Sequence, residues 1–151
     1  MRIYHGSYCA VEMPEIRPSR NNKDFGQGFY CTELQTQAER WARRYGTPVV
    51  NVYEYTEPHS IEVLRFPTMT EEWLDFIVDC RNGKPHGHEI IEGAMANDQV
   101  WNFIGDFVRG ALTRKQFWVL AEFKYPTHQI VFCSQRSLAC LKYIESYEVE
   151  K

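Results

Sequence analysis

Asp24-Phe25-Gly26-Gln27-Gly28-Phe29-Tyr30-Cys31-Thr32 is the stretch from which the rest of the chain can be placed. Two glycines one residue apart let a backbone pass close to a neighbour or a ligand. The Phe-Tyr-Cys that follows is a short strand. Alternation along that strand sends Phe29 and Tyr30 to opposite faces, so Phe29 is expected in the core and Tyr30 on the open side. The pattern is not a dinucleotide fingerprint of the GxGxxG kind, because it precedes a strand instead of opening a helix after one.

Working outward, Arg2 to Tyr8 reads as a strand, and Pro14 to Asp24 as a polar loop. Thr32 is expected to cap a helix from Glu33 to Tyr45, with Leu34, Ala38, Trp41 and Ala42 on one face and Gly46 closing it. Strands are expected at Val49 to Tyr55 and Ile61 to Phe66. A helix from Thr70 to Cys80 turns Trp73, Leu74, Ile77 and Val78 inward, and Asn82-Gly83 ends it. Glu89 to Ala96 is a further strand, and two helical segments then run to about Ala121 with a break at Gly110. Gln129 to Cys133 is a strand, Ser134 starts a helix through Ile144, and Tyr147 to Glu150 adds an edge strand. The reading is a single α+β domain over residues 1–151 with a mostly mixed sheet.

The 151 residues are enough to bury a core without staples, and 44% hydrophobic with 15% aromatic content argues against disorder. A net charge of -3 leaves no dedicated electrostatic grip on nucleic acid. No apolar run reaches membrane-spanning length, and the N-terminus reads as a strand, not a signal peptide. The five cysteines are odd in number and show no CxxC spacing, which favours reduced thiols in a cytoplasmic protein over disulfides or zinc.

Three polar patterns sit at strand edges: Tyr4-His5-Gly6-Ser7, the Asp24 to Thr32 stretch, and His128-Gln129-Ile130-Val131-Phe132. Gathered in one cleft, they would set an imidazole, an aromatic face and an amide together. That combination suits a ribose, a cationic nicotinamide ring and a strained glycosidic bond. An aromatic face attracts such a cation by about 0.5–2 kcal/mol. His5 could donate to a ribose hydroxyl, and a strand glycine such as Gly6 marks a place where a ligand comes close. Each residue also has a plain alternative: a satisfied sheet histidine, packing aromatics, a polar strand entry at Gln129. Asn97-Asp98 reads first as a helix cap, with a carboxylate role for Asp98 second. His86-Gly87-His88 lacks a third metal ligand nearby and reads as a solvated loop, and Arg40, Arg43 and Arg44 as an exposed helix face.

Together the three patterns resemble the His-Tyr-Glu signature of the diphtheria-toxin and poly-ADP-ribose-polymerase branch of the ADP-ribosyltransferase superfamily. His5-Gly6-Ser7 matches that branch's first-strand motif and Gly28 to Thr32 its second, with Tyr30 as the tyrosine. Gln129 to Phe132 falls where the branch carries its catalytic glutamate. More closely, the chain resembles a family of small bacterial proteins with the pattern HGS, DFGxGFYxT, QAxxWA, AND and QIxF. The resemblance implies two small packed mixed or antiparallel sheets around an NAD cleft, with peripheral helices. It implies NAD as substrate and transfer of one ADP-ribose to a macromolecule, protein or nucleic acid. In that reading His5 holds the adenosine-side ribose, Gly6 the nicotinamide carboxamide, and Ser7 lines the pocket. Tyr30 stacks on nicotinamide, Gln129 orients its ribose, and Phe25, Gly28 and Asp98 belong to the NAD-binding surround. A toxin paired with an antitoxin protein, away from membranes, is the implied context. The rival readings are a catalytically weak NAD- or ADP-ribose-binding module, an NAD glycohydrolase, and a structural interaction protein. Gln129 departs from the signature: an amide stabilises the oxocarbenium-like charge of glycosidic cleavage less than a carboxylate does.

Overall fold

In a computed structural model of the protein, residues 1–18, 22–96, 98–120 and 127–150 are described, without the side chains of Asp98, Gln99 and Trp101. Among the described residues the order is β1 (Arg2–Ser7), β2 (Phe29–Cys31), α1 (Gln35–Ala42), β3 (Val49–Tyr55), β4 (Val63–Arg65), α2 (Glu71–Arg81), β5 (Ile90–Gly93), α3 (Asp98–Val108), α4 (Arg114–Leu120), β6 (Gln129–Phe132), α5 (Gln135–Leu138) and β7 (Leu141–Glu148). The protein is thus α+β, with two small sheets. One is antiparallel in the order β1-β3-β7; the other runs β2-β6-β5-β4 and is mixed, because β4 and β5 are parallel.

Alternation along the strands divides the apolar residues into layers. Ile3, Phe29, Cys31, Tyr53, Ile90, Ile130 and Phe132 form the core shared by the two sheets. The opposite face of the mixed sheet sends Ile91 and Val131 against Trp73, Leu74 and Ile77 of α2, Ile104 of α3 and Phe117 of α4. A smaller cluster seats Ala38 and Ala42 of α1 on Val50. α2 follows its sequence logic closely: the Thr70 hydroxyl accepts from the Trp73 N–H at 3.2 Å, and Gly83 leaves the helix at φ 82. Gly110, at φ 80, separates α3 from α4.

Two expectations are corrected. The helix from Ser134 to Ile144 is only the four-residue α5, opened by a capping box between Ser134 and Ser137, and β7 follows it. β3 lies in the middle of its sheet and needs a partner on each edge. The Tyr- and Ile-containing 141–148 segment supplies the second one, and that pairing overrides local helical spacing. The helix expected from Glu33 to Tyr45 spans only Gln35–Ala42, and its N-cap is Leu34, without a side-chain cap. Thr32 is committed elsewhere: its backbone pairs with Tyr4 and its hydroxyl accepts from the Leu34 N–H at 3.1 Å. Gly46 lies beyond the helix end and does not adopt positive φ.

Candidate functional site

The two sheets touch through one antiparallel bridge, in which Tyr4 and Thr32 exchange hydrogen bonds of 2.8 and 2.9 Å. Continued by one step, that ladder would pair Gly6 with Tyr30. It does not continue, because the Tyr30 carbonyl bonds to His5 Nδ1 at 2.6 Å. Tyr4 directs its N–H and C=O toward β2, so Gly6, two residues on, directs its own the same way. β1 and β2 therefore part at Gly6, and a cleft of about 430 Å³ opens there. His5, Gly6, Tyr30 and Gln129 all line it, so three strands far apart in sequence meet as the motifs implied.

A carbonyl oxygen only accepts, so Nδ1 of His5 carries the proton and the neutral ring keeps Nε2 as an acceptor. The ring stacks on Phe29 with centroids 4.0 Å apart. Burial lowers its pKa to about 4, outweighing the bond to Tyr30. His5 is therefore neutral at pH 7 and offers an acceptor, which corrects the expectation that it donates to a hydroxyl.

Tyr30 presents its ring, while its hydroxyl is fully used: it donates to the Gly26 carbonyl at 2.7 Å and accepts from the Phe25 N–H at 3.0 Å. Burial pushes the phenol pKa well up, so the hydroxyl is no acid or base. The Lys23 ammonium sits 5.0 Å from the ring centroid, and partial desolvation lowers its pKa. The aromatic face already holds one cation.

Gln129 is only 2% exposed. Its Nε2 donates to Asp24 Oδ2 at 3.2 Å and to the Ala94 carbonyl at 3.3 Å, two acceptors that fix which end of the amide is nitrogen. Asp24 is 7% exposed and accepts at Oδ1 from Arg81 Nε at 3.0 Å, with a second contact from Nη2. Its Oδ2 also accepts from the Ala96 N–H at 3.0 Å. Burial lowers the Arg81 pKa to about 10, and Asp24 opposes that shift.

Several expected site residues have other roles. Ser7 is buried and does not line the cleft, and Phe25 lies fully buried in the helix-side core. Gly28 is needed for packing: a Cβ there would meet Val131 Cγ1 at 2.6 Å and the Phe132 carbonyl at 2.8 Å. Asp98 opens α3 as its backbone was expected to, but its side chain and Asn97 lie outside the described residues. The loop holding His86, Gly87 and His88 is exposed as expected, but His86 itself is half-buried and its Nε2 bonds to the Phe25 carbonyl at 2.9 Å. Among the described residues no cluster of three metal-binding side chains occurs. His128 is structural: its Nδ1 accepts from the Glu33 N–H at 3.0 Å, and its backbone pairs with the Gln37 amide.

Residues 1–143 match the family described as "Protein of unknown function (DUF3990)". The chain belongs to that family. No curated protein and no solved structure matches it. The span shared with DUF3990 contains every residue that lines the cleft. Those lining residues include several that sequence reading left out: Lys23, Asp24, Trp41, Arg44, Tyr45, Arg81, Met95 and Ala96. Trp41 was legible as an apolar face of α1, but its neighbourhood with Tyr30 was not. Arg81 gave no signal beyond that of a basic residue in the last turn of a helix, and its partner lies 57 positions away.

Proposed function

We propose that this protein binds NAD in the cleft between β1 and β2 and breaks its nicotinamide–ribose bond, passing one ADP-ribose to a macromolecular acceptor. The observation that carries the reading is the split ladder. It frees the N–H and C=O of Gly6 side by side on an open strand edge, the complement of a primary carboxamide. Tyr30, with Trp41 across the same cleft, offers an aromatic face to a nicotinamide cation, which would take the place of the Lys23 ammonium. Nε2 of His5 accepts from a ribose hydroxyl, and Oε1 of Gln129 is left to accept from the hydroxyl beside the scissile carbon. When the C1′–N1 bond breaks, its electron pair leaves on the nicotinamide nitrogen. Positive charge then spreads over C1′ and the ring oxygen, and the acceptor's nucleophile adds at C1′ and gives up its proton. In water alone the same steps yield ADP-ribose and nicotinamide. The fold would then be that of an ADP-ribosyltransferase, and a toxin held by an antitoxin protein in the cytoplasm fits such an activity.

The test is incubation with NAD labelled in nicotinamide and, separately, in adenine. Nicotinamide release that disappears in folded His5→Ala and Tyr30→Ala variants supports the reading, and adenine label retained on a macromolecule supports transfer over hydrolysis. A second reading is a binding module, favoured by the neutral and already committed Gln129 amide. Calorimetric NAD binding without nicotinamide release would establish that one, and neither binding nor release would leave an interaction protein.

A further inference from the structure

We infer that Asp24 is a positioning residue for bond cleavage, acting through the Gln129 amide. The inference rests on the NAD-cleaving reading above. At position 129 the chain carries an amide where developing positive charge calls for a carboxylate. One hydrogen bond behind that amide lies a carboxylate: Asp24 Oδ2 accepts from Gln129 Nε2 at 3.2 Å, and Asp24 is almost wholly buried. Its geometry is fixed from the other sides by Arg81 on Oδ1 and by the Ala96 N–H on Oδ2. A fixed anion against the amide hydrogens draws electron density toward the far end of the amide group, and bonds in such a chain strengthen one another in a poorly polarisable interior. Oε1 is that far end. Among the described residues it has no other partner, and Gln129 lines the cleft. A ribose hydroxyl that donates to Oε1 thus meets a stronger acceptor than a free amide provides, at the place where charge builds as the C1′–N1 bond opens. Arg81 holds Oδ1, the oxygen turned away from Gln129, so it anchors the carboxylate without taking the oxygen that faces the amide.

The rival account makes Asp24 and Arg81 a purely structural pair. Asp24→Asn alone would strand the buried Arg81, so the test pairs it with Arg81→Gln, which leaves two neutral groups able to bond to each other. Four proteins are compared: wild type, Asp24→Asn, Arg81→Gln and the double variant. Each is measured for melting temperature, NAD dissociation constant and single-turnover nicotinamide release at saturating NAD. The expected result is a double variant that melts close to wild type, binds NAD within about threefold, and releases nicotinamide at least about thirtyfold more slowly. Wild-type release from the well-folded double variant overturns the positioning role and leaves the NAD-cleaving reading standing. Absence of release from wild type removes that reading, and this inference with it. If the double variant does not melt cooperatively, Asp24→Leu combined with Arg81→Met decides the matter, because it removes carboxylate and cation together and leaves the Gln129 amide on the Ala94 carbonyl. A release rate unchanged from wild type in that variant overturns the inference; a similar slowing with NAD affinity retained upholds it.

Discussion

The wall of the cleft built by β1 and β2 carries no net charge: a neutral imidazole, a strand edge and a phenol ring whose hydroxyl is satisfied locally. The opposite wall, where the loop before β2 meets the end of α2 and the start of β6, is organised around a buried ion pair. The first wall holds its shape by backbone geometry and stacking between β1 and β2, which tolerate changes of charge state poorly but involve no ion pair. The second depends on Arg81 reaching a carboxylate contributed by a different element. Stability and chemistry should therefore respond differently on the two sides.

The largest expected break comes from Arg81→Leu. It leaves Asp24 buried without its cation and should cost about 3–5 kcal/mol in a urea titration, since an uncompensated buried charge is worse than no pair. An unchanged midpoint would show that the pair does not hold the charged wall together.

On the neutral wall, the strongest lever is pH. His5 has a pKa of about 4 in the folded protein against an unfolded value near 6.5, so folding favours the neutral ring. The stability this confers is fully present above pH 6.5 and is lost as pH falls toward 4. Allowing for the ring's partial exposure, the loss attributable to His5 should reach about 2–3 kcal/mol. It is measured as the difference in urea midpoint between wild type and His5→Gln at pH 7 and pH 4.5. A constant difference would place the ring in a more polar setting than its contacts imply.

Gln129→Glu sharpens the contrast. By charge alone the change should preserve or raise NAD hydrolysis, unless neighbours force the new carboxyl to take a proton. Asp24, 3.2 Å from the amide nitrogen, is such a neighbour. The expected outcome is lower nicotinamide release at pH 7. Holding that proton at pH 7 should also cost about 1.5–3 kcal/mol of stability, since the unfolded carboxyl would be ionised. Faster release with a wild-type melt would mean that Arg81 can neutralise both carboxylates.

Smaller effects follow. Tyr30→Phe keeps the ring and removes the bonds to the Gly26 carbonyl and the Phe25 N–H. It should cost about 1 kcal/mol per bond while leaving NAD affinity nearly intact, as calorimetry can establish. Asp98→Asn at the start of α3 should change the melt by only a few tenths of a kcal/mol and leave turnover unaltered. Collapse of turnover in a folded Asp98→Asn protein would assign its charge a part in the chemistry.

What the sequence disclosed follows the same division. Strand alternation put Phe29 and Tyr30 on opposite faces, and they are found so, Phe29 between the sheets and Tyr30 between the helix-side core and the cleft, because period-2 burial is a local property. The convergence of His5, Tyr30 and Gln129 was legible only through the resemblance of their motifs. The ion pair was not legible at all: nothing in the residues around Asp24 points to an arginine 57 positions later at the end of a helix. Local helical spacing after Ser134 likewise misled, since the need of β3 for a second edge partner is a property of the sheet and not of the segment.

Gly6 has one more consequence. A Cβ at this position would stand 2.4 Å from the Ala38 carbonyl and 2.8 Å from the Ala42 nitrogen, so α1 rests directly on the strand's bare backbone. The spacing between β1 and α1 is thus set by a hydrogen atom, and Trp41 and Arg44, at the end of that helix, are carried into the cleft at a depth the same atom decides. A single methyl group at residue 6 would act as a shim. It would lift the helix, shift Trp41 within the cleft and alter its fluorescence while leaving the N–H and C=O of residue 6 in place, which makes the tolerance of the cleft a matter of gauge as much as of chemistry.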